Sequence, residues 1–229
     1  MLIQISPVTR SSPSERSPFA GSDALTIGPS GSGKTTLSYE FKHKGWQVLK
    51  EPVDQWHING RNMLDAYYEK PKEMAYLFQQ VTLSTKTKQL LTLHSADWCL
   101  DRSLAADLLF AKLQHKNGYF TDLQFAVYEE IYQVCKSVTP VVDYYIYLKT
   151  PVDICMERIK RRNRSCEQGI TKEYLAQLEA EHDAWLLSKD NVLVLDGSTS
   201  IYDTKQRAEV LQTIENFLAG TNQEHKSLV

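Results

Sequence analysis

Residues 28–35 read Gly28-Pro29-Ser30-Gly31-Ser32-Gly33-Lys34-Thr35 and fit the pattern G-x-x-x-x-G-K-[ST] at every fixed position. A short apolar run, Ala24-Leu25-Thr26-Ile27, precedes them, and Thr35-Thr36-Leu37-Ser38-Tyr39-Glu40-Phe41 follows with the character of a helix start. That strand-loop-helix order is the setting a phosphate-binding loop requires, so it constrains the chain to an α/β fold and points to a nucleoside triphosphate as ligand. Gly28, Gly31 and Gly33 admit positive φ and close backbone approach, which lets successive N–H groups ring the phosphate oxygens. Lys34 brings a mobile charge to the β- and γ-phosphates, Thr35 a hydroxyl for Mg²⁺, and the helix N-terminus its positive dipole end. Pro29, Ser30, Ser32 and Thr36 complete the expected donor site.

With 229 residues the chain has room for one sizeable α/β domain, expected over 24–218, between a Ser/Pro-rich leader (1–23) and a polar tail (219–229). The formal charge of −2 gives no sign of a polyelectrolyte partner such as nucleic acid. Cys99, Cys135, Cys155 and Cys166 form neither a C-x-x-C pair nor a zinc pattern, which reads as free thiols in a reducing compartment. No apolar run approaches the roughly 18–20 residues that span a bilayer, and a cytoplasmic protein is expected. A mitochondrial transit peptide is the other reading of the leader, with Glu15, Asp23 and three prolines against it.

Strand-like runs recur at 24–27, 46–50, 96–100, 142–149 and 191–196, with helical patterns between them. This alternation predicts a parallel five-stranded sheet flanked by helices, whose ligands bind beyond the carboxyl ends of the strands. Those ends are rich in charge. The second run stops at Glu51-Pro52, where the proline steers Glu51 into an extended conformation, either as a base at the sheet edge or as an ordinary solvated acid. The third ends in Asp101-Arg102-Ser103, an acid placed like the second magnesium site of phosphate-loop enzymes. Arg102 would clamp a phosphate, orient a base, or simply pair with its neighbour. Asp196 competes with Asp101 for the metal role.

The densest basic run, Arg158-Ile159-Lys160-Arg161-Arg162-Asn163-Arg164, falls in a helical frame starting near Pro151, with Glu167 just beyond. Arg158, Arg161 and Arg162 share a face, and an arginine-rich lid of this kind stabilises charge on a transferring phosphoryl group. A solvated helix face and a nucleic-acid patch are the alternatives; no aromatic residue interleaves the run for base stacking.

Taken together, the phosphate loop, Glu51-Pro52-Val53-Asp54-Gln55-Trp56, Asn59-Gly60, Tyr68, Phe78-Gln79, Asp101-Arg102-Ser103 and the arginine run are similar to the deoxynucleoside kinases. The likeness extends from about 24 to 196. It implies ATP- and Mg²⁺-dependent phosphorylation of the 5′-hydroxyl of a deoxynucleoside, thymidine or deoxycytidine, in nucleotide salvage, by a homodimer. In that family the acid matching Glu51 takes the hydroxyl proton and the arginine matching Arg102 holds the same region. Lys34, Arg162 and Arg164 would stabilise the transferring group, Arg158 and Arg162 would contact the donor, and Thr35 and Asp101 the metal. Trp56 and Phe78 would wall the nucleoside pocket, Gln79 would read the base, and Tyr68 and Glu167 would bind the sugar 3′-hydroxyl.

The chain departs from that pattern in carrying an aspartate, Asp101, as herpesvirus-type thymidine kinases do, where many cellular members have Glu, and in being one residue shorter than the insect multisubstrate enzyme from Phe78 to Arg102. If the gap lies near His94, Lys86 and Asp107 face the base and favour deoxycytidine; if it lies within the helix, Thr85 takes the place of Lys86 and thymidine fits better. Two other functions share the loop. A nucleoside monophosphate kinase would need further arginines on the acceptor side, where this chain has Glu51, Tyr68 and Gln79. A non-catalytic nucleotide switch would need neither a base nor an arginine lid.

Overall fold

A computed structural model of the chain describes residues 23–93, 97–163, 167, 169–198 and 203–224. The first half runs β1 (Asp23–Ile27), α1 (Lys34–His43), β2 (Gln47–Leu49), β3 (His57–Ile58), β4 (Arg61–Asn62), α2 (Met63–Glu69), α3 (Pro71–Leu90) and β5 (Trp98–Asp101). The second runs α4 (Leu104–Lys116), α5 (Asp122–Val138), β6 (Tyr144–Lys149), α6 (Val152–Arg162), α7 (Lys172–Leu186), β7 (Val192–Asp196) and α8 (Thr204–Glu224). Each run read as a strand holds one. The expected leader lies outside the described residues up to position 22, and α8 runs on to Glu224, within the stretch read as a polar tail.

The five longer strands pair in parallel in the order β2-β5-β1-β6-β7. β6 shows why the chain takes this form. All but its second and last residues are buried, as in a strand covered on both faces. Alternation then divides its side chains: Tyr144, Ile146 and Leu148 pack with Leu37 and Phe41 of α1 and Ile214 and Leu218 of α8, while Tyr147 joins Phe78, Leu83, Leu104, Tyr128 and Leu186 on the other face. The strand order reverses at β1, which opens a crevice at the carboxyl ends on either side of it.

Side chains close the N-termini of several helices. Asn62 caps α2, Ser103 caps α4, Thr121 and Gln124 form a capping box on α5, and Thr171 caps α7. At α1 the cap is Gly33, in a left-handed conformation and with no side-chain bond, so its first-turn amides face the crevice uncapped. The β3–β4 hairpin turns through Asn59 and Gly60, both at positive φ as a tight hairpin turn demands. With two residues per strand it is too short to leave a period-2 signal in sequence. Among the described residues no helix is long and apolar enough to cross a membrane.

Candidate active site

A cavity of about 1000 Å³ occupies the crevice, with the phosphate loop at one end and an aromatic slot at the other. The loop is held by close backbone packing. A Cβ on Gly31 (φ 85°) would stand 2.7 Å from the Cys155 carbonyl oxygen, and one on Gly28 would lie 2.8 Å from the Leu148 carbonyl oxygen, so any side chain there displaces the loop. Lys34 is buried and donates to the Gly28 and Pro29 carbonyls at 2.8 and 3.0 Å. Burial lowers its pKa to about 8, helped by Arg102 and opposed by Asp101 and Glu51. The buried Ser32 hydroxyl oxygen has no partner within the protein. An uncapped helix start, a buried ammonium and an unsatisfied hydroxyl fit a phosphate chain. Pro29 is buried in the loop, and Ser30, Thr35 and Thr36 line the cavity beside it.

Across from the loop, Arg102 Nη1 lies 2.9 Å from Glu51 Oε1, both side chains about one-fifth exposed. Arg102 adopts φ 68°, a left-handed conformation uncommon for a residue with a side chain, and its guanidinium lies 4.7 Å from the centre of the Phe110 ring. Burial works against its charge, but Glu51, Asp101 and Asp107 outweigh burial and raise its pKa. Asp101, buried at the end of β5, lines the same cavity and accepts from Lys86 Nζ through its backbone oxygen at 3.0 Å. Asp196, its competitor, is bonded to Ser198 through both carboxylate oxygens, and those bonds lower its pKa. Among the described residues no three of His, Cys, Asp and Glu cluster as a metal cage.

The slot beyond is aromatic. Phe78 stacks on Tyr67 and meets Trp56 edge-on, with ring centres 5.4 and 5.2 Å apart. Tyr68 leans on Tyr67, and Trp56 donates from its indole nitrogen to Thr85 Oγ1 at 3.2 Å. Gln79 is buried at the slot's end and accepts from Thr82 at 3.2 Å. On α3, which carries Gln79, neither Lys86 nor Thr85 lines the cavity, and the two take different directions. The helix is unbroken from Pro71 to Leu90, so Lys86, seven residues after Gln79, shares its face and is buried, while Thr85 is turned to Trp56. The uncertain loop position, His94, lies outside the described residues. Asp107 is buried and one of its oxygens has no partner. Burial raises its pKa to about 7, with Lys86 and Arg102 opposing and Glu51 adding to the shift.

α6 lies against the loop and brings three arginines to the cavity in different ways. Arg158 donates to the carbonyls of Gly31, Ser32 and Gly197, and so braces backbone as well as lining the cavity. Arg162 is paired with Glu167 through two nitrogens and also reaches Ser30. Arg161, expected on the same face, also lines the cavity and pairs with Glu157 at 3.6 Å in an exposed position. Arg164 falls outside the described residues. Sequence reasoning missed Tyr67, Phe110 and the Ser30 contact. Only the tandem Tyr67-Tyr68 offered a local signal, since the other two depend on which helices meet.

These features match one known family over most of the chain: the deoxynucleoside kinase description fits residues 26–219. The chain belongs to the deoxynucleoside kinase family. It is a kinase acting on deoxynucleosides. Among its relatives, a "Probable deoxycytidine kinase" of Fowlpox virus (strain NVSL) is 32% identical over 199 residues, spanning 82% of this chain and 84% of the viral one. A thymidine kinase of Ictalurid herpesvirus 1 (strain Auburn) is 29% identical over 178 residues, covering 74% and 76%. The deoxyadenosine kinase from M. mycoides, solved with products dCMP and a flexible dCDP bound, superposes with a TM-score of 0.72 at 25% identity, covering 84% of this kinase and 98% of that chain.

Proposed function

We propose that this kinase transfers the γ-phosphoryl group of ATP to the 5′-hydroxyl of a pyrimidine deoxynucleoside, with deoxycytidine preferred to thymidine. The observation that carries this reading is the layout of one cavity, with the phosphate loop at one end, Glu51–Arg102 facing it, and the Trp56–Phe78–Gln79 slot beyond. Lys34, Glu51, Asp101 and Arg102 line the cavity together, which brings the donor and acceptor machinery into one space. Glu51 accepts the hydroxyl proton as the oxygen attacks, and Arg102 orients the carboxylate. Lys34, Arg162 and Arg164 carry the charge of the transferring group, with Arg158 keeping the loop in shape beneath the donor. Thr35 and Asp101 suit Mg²⁺, which takes few protein oxygens when phosphates and water complete its shell. When bound, the ion would neutralise charge between the β- and γ-phosphates.

Gln79 offers a donor and an acceptor to a pyrimidine edge. The unsatisfied oxygen of Asp107 would accept from an exocyclic amine, which favours cytosine. Tyr68 and Glu167 bind the sugar 3′-hydroxyl. α5 supports a homodimer: Leu123, Val127, Ile131, Val134 and Val138 form an exposed apolar stripe, 38–75% accessible, whose spacing is nearly the same in both directions about Ile131. A stripe of that symmetry can pair with its own copy across a two-fold axis. ³¹P NMR of the product formed from deoxycytidine and Mg-ATP tests the reaction: a deoxycytidine 5′-monophosphate signal supports it, and inorganic phosphate alone refutes it.

A further inference from the structure

The two arginines that α6 directs at the phosphate loop are not equivalent. Arg158 is bonded to three backbone carbonyls, of Gly31, Ser32 and Gly197, at 3.4, 3.3 and 2.8 Å, partners that no ligand can draw away without moving the chain. Arg162 is held by a side chain. Its Nε donates to Glu167 Oε2 at 3.0 Å and its Nη2 to Glu167 Oε1 at 2.5 Å. Ser30, on the phosphate loop, touches both partners, at 3.4 Å from Arg162 Nη2 and 3.4 Å from Glu167 Oε1. The carboxylate is only 10% exposed and the guanidinium 33%. Both charges line the nucleotide cavity.

We propose that Glu167 holds Arg162 in reserve and that donor and acceptor release it jointly, so that the acceptor's 3′-hydroxyl controls the affinity of the phosphate site. This rests on the reading of the cavity as a donor site joined to a deoxynucleoside site. The reason is the cost of leaving either charge alone. A phosphate chain that draws Arg162 away strands a nearly buried carboxylate, and a hydroxyl that takes Glu167 strands the guanidinium; breaking one half of a desolvated ion pair is costly because the other half stays uncompensated. With both ligands present, the guanidinium moves to phosphate and the carboxylate accepts from the hydroxyl. No charge is then left without a partner. Each ligand therefore strengthens the other, and linkage requires the factor to be the same in both directions. Arg158 takes no part in the exchange, which leaves the loop's shape unchanged while Arg162 swaps partners. Glu167 thus acts as a positioning residue for Arg162 in addition to binding sugar.

Calorimetric titration of the full chain with Mg-AMP-PNP, alone and with saturating deoxycytidine or 2′,3′-dideoxycytidine, tests this in the wild-type protein. Deoxycytidine should tighten AMP-PNP binding about tenfold, within the usual range of couplings between sites, and the dideoxynucleoside should leave it nearly unchanged. Glu167→Gln should bind AMP-PNP more tightly without acceptor and lose the difference between the two nucleosides. Equal tightening by both nucleosides, or by neither while deoxycytidine is still phosphorylated, overturns the coupling and leaves the kinase reading intact. Absence of both nucleoside binding and phosphorylation overturns that reading, and the coupling with it.

Discussion

Arg102 and Glu51 lie 2.9 Å apart although they end different strands and are separated by 51 positions. The pairing follows from the sheet. β2 and β5 are neighbours in parallel register, so the residues just past their carboxyl ends emerge side by side. The left-handed backbone at Arg102 and the Phe110 ring beside its guanidinium then fix the direction of the side chain. A strained conformation at such a point is maintained because the surrounding contacts over-determine it.

Replacing Glu51 with Gln keeps the shape and one hydrogen-bond acceptor for Arg102 but removes the proton acceptor. Turnover should fall by about 10²-fold or more, the usual contribution of a general base, with little change in KM for the nucleoside. Steady-state kinetics of the purified variant decide this. Turnover equal to wild type would take the base role away from Glu51.

Lys34 has its pKa lowered to about 8 by burial. Phosphate oxygens favour the charged amine, so nucleotide binding above that pH should take up a proton, and KM for ATP should rise as pH increases beyond about 8. Binding enthalpies measured at pH 8.5 in buffers of different ionisation heat should differ by the protons transferred. Identical enthalpies would show that Lys34 is already fully charged before the ligand arrives.

Asp107 and His182 give opposite slopes of stability with pH. Asp107 is raised from 3.8 to about 7 mainly by burial, so its contribution is greatest below 3.8 and is lost as pH rises towards 7. His182 is lowered from 6.5 to about 4, again mainly by burial, so its contribution is complete above 6.5 and is lost as pH falls towards 4. In thermal melts, Asp107→Asn should gain on wild type as pH rises from 4 to 7, and His182→Gln should gain as pH falls from 6.5 to 4. Parallel curves for variant and wild type would contradict the assigned burial. The same titration bears on the proposed specificity: ionised Asp107 would accept from the cytosine amine and protonated Asp107 would donate to the thymine carbonyl. The preference for deoxycytidine should therefore grow as pH passes upward through about 7.

How far the sequence foretold this arrangement depended on distance along the chain. The phosphate loop was legible because its eight residues are consecutive, and the strand ends because Glu51-Pro52 and Asp101-Arg102 close apolar runs. Lys86 could not be placed until α3 proved continuous to Leu90, since one residue of slippage turns a helix by more than a quarter of its circumference. The Ser30–Arg162–Glu167 contacts were not legible at all. They join residues up to 137 positions apart and exist because α6 packs on the loop where Gly31 has no side chain. The arginine run announced charge without saying that Arg158 would be spent on backbone carbonyls and Arg162 on a carboxylate.

The apolar stripe on α5 makes a separate forecast. Val134→Glu places a charge in the stripe, one step from its centre at Ile131, on an exposed position where the monomer's own packing is little affected. Sedimentation should show a dimer for wild type and a monomer for the variant. A monomeric wild type at micromolar concentration would remove the α5 interface.

The most direct test of the whole account is a comparison of kcat/KM for deoxycytidine, thymidine, deoxyadenosine, deoxyguanosine, dTMP and dCMP with Mg-ATP. The predicted result is efficient phosphorylation of the nucleosides, deoxycytidine first and thymidine next, with the monophosphates poor acceptors. Turnover confined to dTMP or dCMP would contradict it, because the acceptor end of the cavity would then have to receive a phosphate where Glu51 and the aromatic slot now stand.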